Sequence, residues 1–266
     1  MTEPWFDEQN YSEDYHPAPI YRCIQAELQW DAQAKISEVC SQLSHLEQRV
    51  LELVEEEVDI HQRLTRLLDL FYTEWLFTGT NQDTPDHLLN SLCFLLQMRS
   101  GSATSLGILL VHLLETASIQ GNVCLSQGEV MVHVGMSDEE GYMIDPTNGQ
   151  QTWYIIPENA EEEDSEPLEL VMDEEVFKLF LAQQKWAFIG AEKFGHALCC
   201  VDMLMDLLGN DPYERRDRGY LLNQLDCPKM AKEDLQFFVD ECPDDPTIEL
   251  IQMQIAELSD YNNILH

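Results

Sequence analysis

Near its C-terminus the chain repeats itself at an interval of 34 residues. Ala197 recurs as Ala231, Val201 as Leu235, Leu204 as Phe238, and Asp211-Pro212 as Asp245-Pro246. That interval is the length of a two-helix repeat, a unit that buries its apolar face only against a neighbour. In the second copy Gly219, Leu222, Ala231 and Pro243 supply the small, bulky, small and helix-ending residues such a unit needs. In the first copy Lys185 and Gly209 stand at the Gly and Pro places. A helix over 247–258 is expected to cap the stack. Two repeats are too few to stand alone, so they must pack on what precedes them.

What precedes them is of mixed type. Ile36, Val39, Leu43 and Leu46 form one helical stripe, and Ile60, Leu64, Leu67, Leu68 and Phe71 another. A third helix is expected over 87–98, and the most apolar segment, 105–117, reads as a buried helix. Then the period changes to two. Residues 123–125, 129–134, 142–144 and 152–156 are short β-branched and aromatic runs, with Gly128, Gly135, Gly141 and Asn148-Gly149 as turn signals. This predicts an antiparallel meander behind a helix, an α+β domain. The expected division is an acidic arm and lead-in at 1–33, the α+β domain at 34–157, an acidic linker at 158–175 and the helical tail at 176–266.

Charge removes several classes of function. The 266 residues carry 14 Lys and Arg against 50 Asp and Glu, a formal net charge of −36. Neutralising phosphates needs clustered basic side chains, so neither nucleic acid nor an anionic membrane surface is an expected partner. No Lys or Arg lies between Arg99 and Lys178, a stretch that holds sixteen acids. The start of the chain has no basic and apolar leader pattern, and the eight cysteines form no CxxC pair. A cytoplasmic protein with reduced thiols is expected. No cofactor and no metal is implied.

The order helix, meander, acidic linker, repeat resembles the bacterial SirB/YchA family, in which a transglutaminase-like (papain-like) domain precedes a short tetratricopeptide tail. The resemblance spans roughly 34–260. It is carried by residues 210–219 (NDPYERRDRG), by Lys232 to Leu235 and by Cys242 to Asp245-Pro246. Arg99-Ser-Gly101 through Ser105-Leu106 is similar to the family's start of the central helix, with Ala103 in place of its Pro. Ile144-Asp145-Pro146-Thr-Asn148-Gly149 is similar to the family's turn. The resemblance implies regulation of gene expression in bacteria as the setting.

In active members of the wider group a Cys at the start of the central helix is the nucleophile. A His on the next strand is its base, and an Asp on the following strand orients that His. Carried over by position, the resemblance implies Ser105, with Thr104 beside it, for the nucleophile, Glu129 for the base and Asp145 for the orienting acid. The site is therefore a degenerate triad. His133 is a substitute base on the same strand face as Glu129, but about 13 Å along the strand from it. Ser105 or Ser102 serves equally as a helix cap. His112 reads as a core residue, and Glu129 with Asp145 could alternatively hold a divalent cation or share a proton. The leading expectation is a non-catalytic scaffold that binds a basic protein. The rival is a hydrolase or acyltransferase of the same fold using Ser105 or Cys124, and a third reading is a cation-dependent module built on the acidic linker.

Overall fold

The computed structural model describes residues 17–31, 35–57, 59–79, 83–137, 140–155 and 169–264. Residues 1–16 of the expected arm and lead-in, and most of the expected linker, lie outside them. The lead-in forms a helix, α1 (Pro19–Glu27), opened by Pro19 at its first position. Its Ile20, Cys23 and Ile24 are buried in the main core. The first predicted stripe becomes α2 (Ile36–Glu56) and the second α3 (Ile60–Asp69), which widens into a π-helical turn at Leu70–Glu74. Asp59 caps α3 by accepting from Gln62 N.

The helix expected over 87–98 is two. After the two-residue strand β1 (Thr78–Gly79) come α4 (Asp86–Leu89) and α5 (Leu92–Met98). The break has a local cause. Ser91 Oγ accepts from Phe94 N, and the buried Glu27 carboxylate accepts from Leu92 N at 2.6 Å and Cys93 N at 3.3 Å. These groups satisfy the free amides of a new helix start. Strand β2 (Ser100–Gly101) pairs in parallel with β1, a feature too short to show as a pattern in the sequence.

The central helix α6 (Ala103–Thr116) buries Leu106, Leu109, Leu110, Leu113 and Leu114 completely. The meander follows as β3 (Gly121–Ser126), β4 (Glu129–Gly135), β5 (Glu140–Ile144) and β6 (Gln151–Ile155). Strand β7 (Glu169–Leu170) pairs antiparallel with β3 and completes a five-stranded sheet of order β6-β5-β4-β3-β7. Two residues of the acidic stretch thus belong to the sheet. Val130, Val132 and Val134 of β4 are buried on the α6 side, as period-two alternation requires.

The tail is α7 (Asp173–Gly190), α8 (Phe194–Leu208), α9 (Pro212–Gln224), α10 (Pro228–Glu241) and α11 (Ile248–Ile264). The echoed residues do the same work twice: Ala197 and Ala231 are buried, and so are Val201 with Leu235 and Leu204 with Phe238. Asp211 and Asp245 each accept backbone N–H groups, from Tyr213 and from Thr247, at the start of the next helix. Lys185 is explained by its partners. It is buried, and its ammonium reaches Glu214 at 2.8 Å and Asp217 at 2.7 Å, so an ion cluster takes the place of close glycine packing. The tail docks through α7, whose Phe177, Phe180 and Leu181 enter the main core. Gln184 Nε2 also donates to His87 O at 2.9 Å.

Candidate functional site

The residues implied for a triad occupy three elements, and helix geometry decides whether they meet. At Gly107 a Cβ would lie 3.6 Å from Val132 Cγ2 and 3.9 Å from Pro146 Cγ, so this side of α6 faces the sheet. Ser105 precedes Gly107 by two residues, a rotation of about 200° around a helix of 3.6 residues per turn. Its side chain therefore points away from the sheet. Ser105 is fully buried, and its Oγ donates to Leu89 O at 2.7 Å. The residue at the helix start that shares the Gly107 face is Ala103, four positions earlier.

The cap of α6 is Ser102, whose Oγ accepts from Ser105 N at 3.2 Å. Thr104 is turned to α7 and donates to Gln183 Oε1 at 2.6 Å. The cleft beside this helix start opens toward α4 and α7 and is lined by His87, Asn90, Ser102, Trp186 and Lys193. There Lys193 Nζ approaches His87 Nε2 at 2.9 Å, and burial, then the Lys193 charge, hold the imidazole below its usual range. His87 is thus kept neutral.

Glu129 opens β4, opposite Ser126 in the hairpin, and is exposed. It makes no hydrogen bond or ion pair among the described residues. Because Val130 and Val132 face α6, Glu129 and His133 lie on the other face of the sheet. Ser105 and these two residues are separated by the α6–sheet interface.

His133 has its own partner. Its Nε2 shares a short hydrogen bond with the Tyr154 hydroxyl, and the two rings stack with centroids 5.8 Å apart. Its Nδ1 is buried with no partner among the described residues, and burial lowers the imidazole below its ordinary value. His133 bonds to neither Ser105 nor Asp145 among the described residues.

Asp145 spends both carboxylate oxygens on its own turn. Oδ1 accepts from Thr147 N at 2.8 Å and Thr147 Oγ1 at 2.6 Å, and Oδ2 accepts from Asn148 Nδ2 at 2.7 Å. Tyr72, from the π-helical turn, clamps this turn by donating to Pro146 O at 3.1 Å. Gly149 has φ +75°, and its ideal Cβ would fall 2.6 Å from the Tyr72 ring, so only glycine fits there.

Cys124, the other nucleophile considered, is fully buried, and burial pushes its thiol up to about 11. A thiolate is the reactive form, so this position is unreactive at neutral pH. The His112 side chain is largely buried, 12% exposed. Its Nε2 meets Glu47 Oε1 at 2.7 Å and joins α6 to α2. Among the described residues no group of three His, Cys, Asp or Glu converges as metal ligands, and no helix is long and apolar enough to cross a membrane.

What the spacing of motifs could not convey is rotational phase. A start of helix at 103–105 is readable, but which side faces the strands depends on packing. The signal that could have found it is Gly107, the one small residue inside an otherwise bulky apolar run.

Comparison with known proteins agrees with this architecture. Residues 37–160 match the family profile described as transglutaminase-like superfamily, and residues 183–256 that of the tetratricopeptide repeat. The UPF0162 protein BU173 of Buchnera aphidicola subsp. Acyrthosiphon pisum is 31% identical, over 85% of this chain and 88% of its own. Protein SirB1 of Salmonella typhimurium is 29% identical, over 82% of this chain and 86% of its own. The UPF0162 protein YchA of Escherichia coli K12 gives the same values, 29%, 82% and 86%. No solved structure matches. A transglutaminase-like domain followed by tetratricopeptide helices, with identity near 30% along most of the chain, means that this protein belongs to the SirB1/YchA (UPF0162) family.

Proposed function

We propose that this chain is a non-catalytic scaffold in bacterial regulation that binds a basic protein partner. The observation that carries the reading is the Ser105 hydroxyl, fully buried, given to Leu89 O and turned away from Glu129, His133 and Asp145. An alcohol becomes a nucleophile only with a base in hydrogen-bond reach. The nearest residue types by motif are an exposed carboxylate and a turn-forming one. Stacked helical repeats offer extended surfaces for protein contact, and a net charge of −36 favours a cationic partner. The reading keeps 34–157 and 176–266 as its two units, with 158–175 between them and 1–33 ahead of them. It also includes a cytoplasmic location, supported by eight cysteines of which none is joined in a disulfide.

The test has two arms. A serine-reactive fluorophosphonate and a thiol-reactive probe are each expected to leave Ser105 and Cys124 unlabelled in the folded chain. Labelling at either position that disappears on denaturation returns the hydrolase or acyltransferase reading. Immobilised protein is expected to retain basic proteins at low salt and release them as salt rises, and retention of none removes the scaffold reading. Ser105→Ala is expected to cost about 1–2 kcal/mol in stability through the bond lost to Leu89 O, with no change in partner capture.

A further inference from the structure

Strand β6 ends the sheet, and among the described residues no strand lies along its other side. Its hydrogen-bond phase can be worked out. Asp145 N donates to Gln150 O at 2.9 Å, and the register pairs Met143 with Thr152 and Gly141 with Tyr154. In an antiparallel ladder bonded and non-bonded pairs alternate. Thr152 and Tyr154 therefore turn their N–H and C=O groups to β5, and Gln151, Trp153 and Ile155 turn theirs outward. The same outward residues carry large apolar side chains in the open: Trp153 is 54% and Ile155 56% exposed, side by side on one face.

Natural sheets usually protect such an edge with Lys, Pro, a bulge or a covering element. The sequence Gln-Thr-Trp-Tyr-Ile has neither charge nor proline, and its register with β5 runs unbroken. The charge around it has one sign. Glu140 stands directly opposite Ile155, and no strand of the sheet carries a Lys or Arg. Two copies meeting edge to edge would bring two net charges of −36 together, whereas a basic strand is attracted.

We infer that β6 is a docking edge that takes an extended, Lys- or Arg-bearing segment of a partner protein as a sixth strand. The partner's backbone meets the outward groups of Gln151, Trp153 and Ile155. Its apolar side chains lie on Trp153 and Ile155, and its cations answer Glu140. This rests on the scaffold reading above and assigns it a surface.

The test uses the full chain and a fluorescent eight-residue peptide of alternating Lys and Val, with a Glu–Val peptide as control. Anisotropy is expected to show saturable, salt-weakened binding of the Lys–Val peptide and none of the Glu–Val peptide. Trp153→Pro removes one outward N–H and no bond to β5, and Trp153→Lys adds a repelling charge at an exposed position. Each is expected to weaken binding at least tenfold with little change in thermal midpoint. In amide exchange, Gln151, Trp153 and Ile155 are expected to gain protection with peptide bound.

Unchanged affinity in both variants, no saturable binding of the Lys–Val peptide, or equal binding of the control overturns the proposal. So does a dimer in sedimentation that Trp153→Pro dissolves, since a second copy would then hold the edge. If the Trp153→Pro chain still captures basic proteins as the natural chain does, the docking edge falls and the scaffold reading stands. Probe labelling at Ser105 removes the scaffold reading whatever β6 binds.

Discussion

Glu27 ties α1 to the start of α5, and its setting makes stability depend on pH. Ser91 Oγ donates to it at 2.5 Å and Leu92 N at 2.6 Å, yet its complete burial dominates and raises the carboxyl from 4.5 to about 7. The folded state then holds the proton more tightly than the unfolded chain does. Stability from this group is fully present below about pH 4.5 and is lost as pH rises through about 7, a change on the order of 3 kcal/mol. Glu27→Gln cannot ionise. Denaturant melts from pH 4.5 to 8 are expected to slope less in the variant than in the natural chain. At this scale the sequence was least readable. Glu27 sits in a plain helical stretch, and nothing in its neighbours reveals that it caps a helix 65 residues later.

Elements were easier to read because their periods are local. The stripes of α2 and α3, the period-two runs of β3 to β6 and the 34-residue echo all became elements of the kind expected. The exceptions follow from distant partners, as with the split between α4 and α5 and the short strand β7. The repeat also carries two sharp expectations. At Gly219 an added Cβ would lie 2.8 Å from Leu235 Cγ and 3.1 Å from Ala231 O, so α9 and α10 would have to part. Gly219→Ala is expected to lower stability by about 1–3 kcal/mol, despite alanine's better helix propensity, measured by thermal melting. Lys185→Ala leaves Glu214 buried without its cation and Asp217 beside it with Arg216 alone. The expected cost is about 3–5 kcal/mol, partly recovered when Glu214→Gln is added.

For the whole molecule the charge is less evenly offset than composition alone suggests. Among the described residues the basic run Arg215-Arg216-x-Arg218 does not reach across to the acidic body. Arg215 and Arg218 pair with Asp234, and Arg216 with Asp217, all inside the repeat. Self-repulsion among the remaining acids is expected to make the thermal midpoint climb by several degrees between low salt and 0.5 M NaCl, the reverse of what peptide capture should do. Fold class and order of units were thus legible from pattern, while the candidate site was legible only as positions along the chain. Side-chain direction there depends on how α6 lies against the sheet, which no local pattern encodes. The thiols have a practical side. Five of the eight are buried, and Cys227, at the turn between α9 and α10, is the exposed one. It offers a native attachment point for a dye, so that motion of the repeat could be followed by fluorescence without altering a single residue.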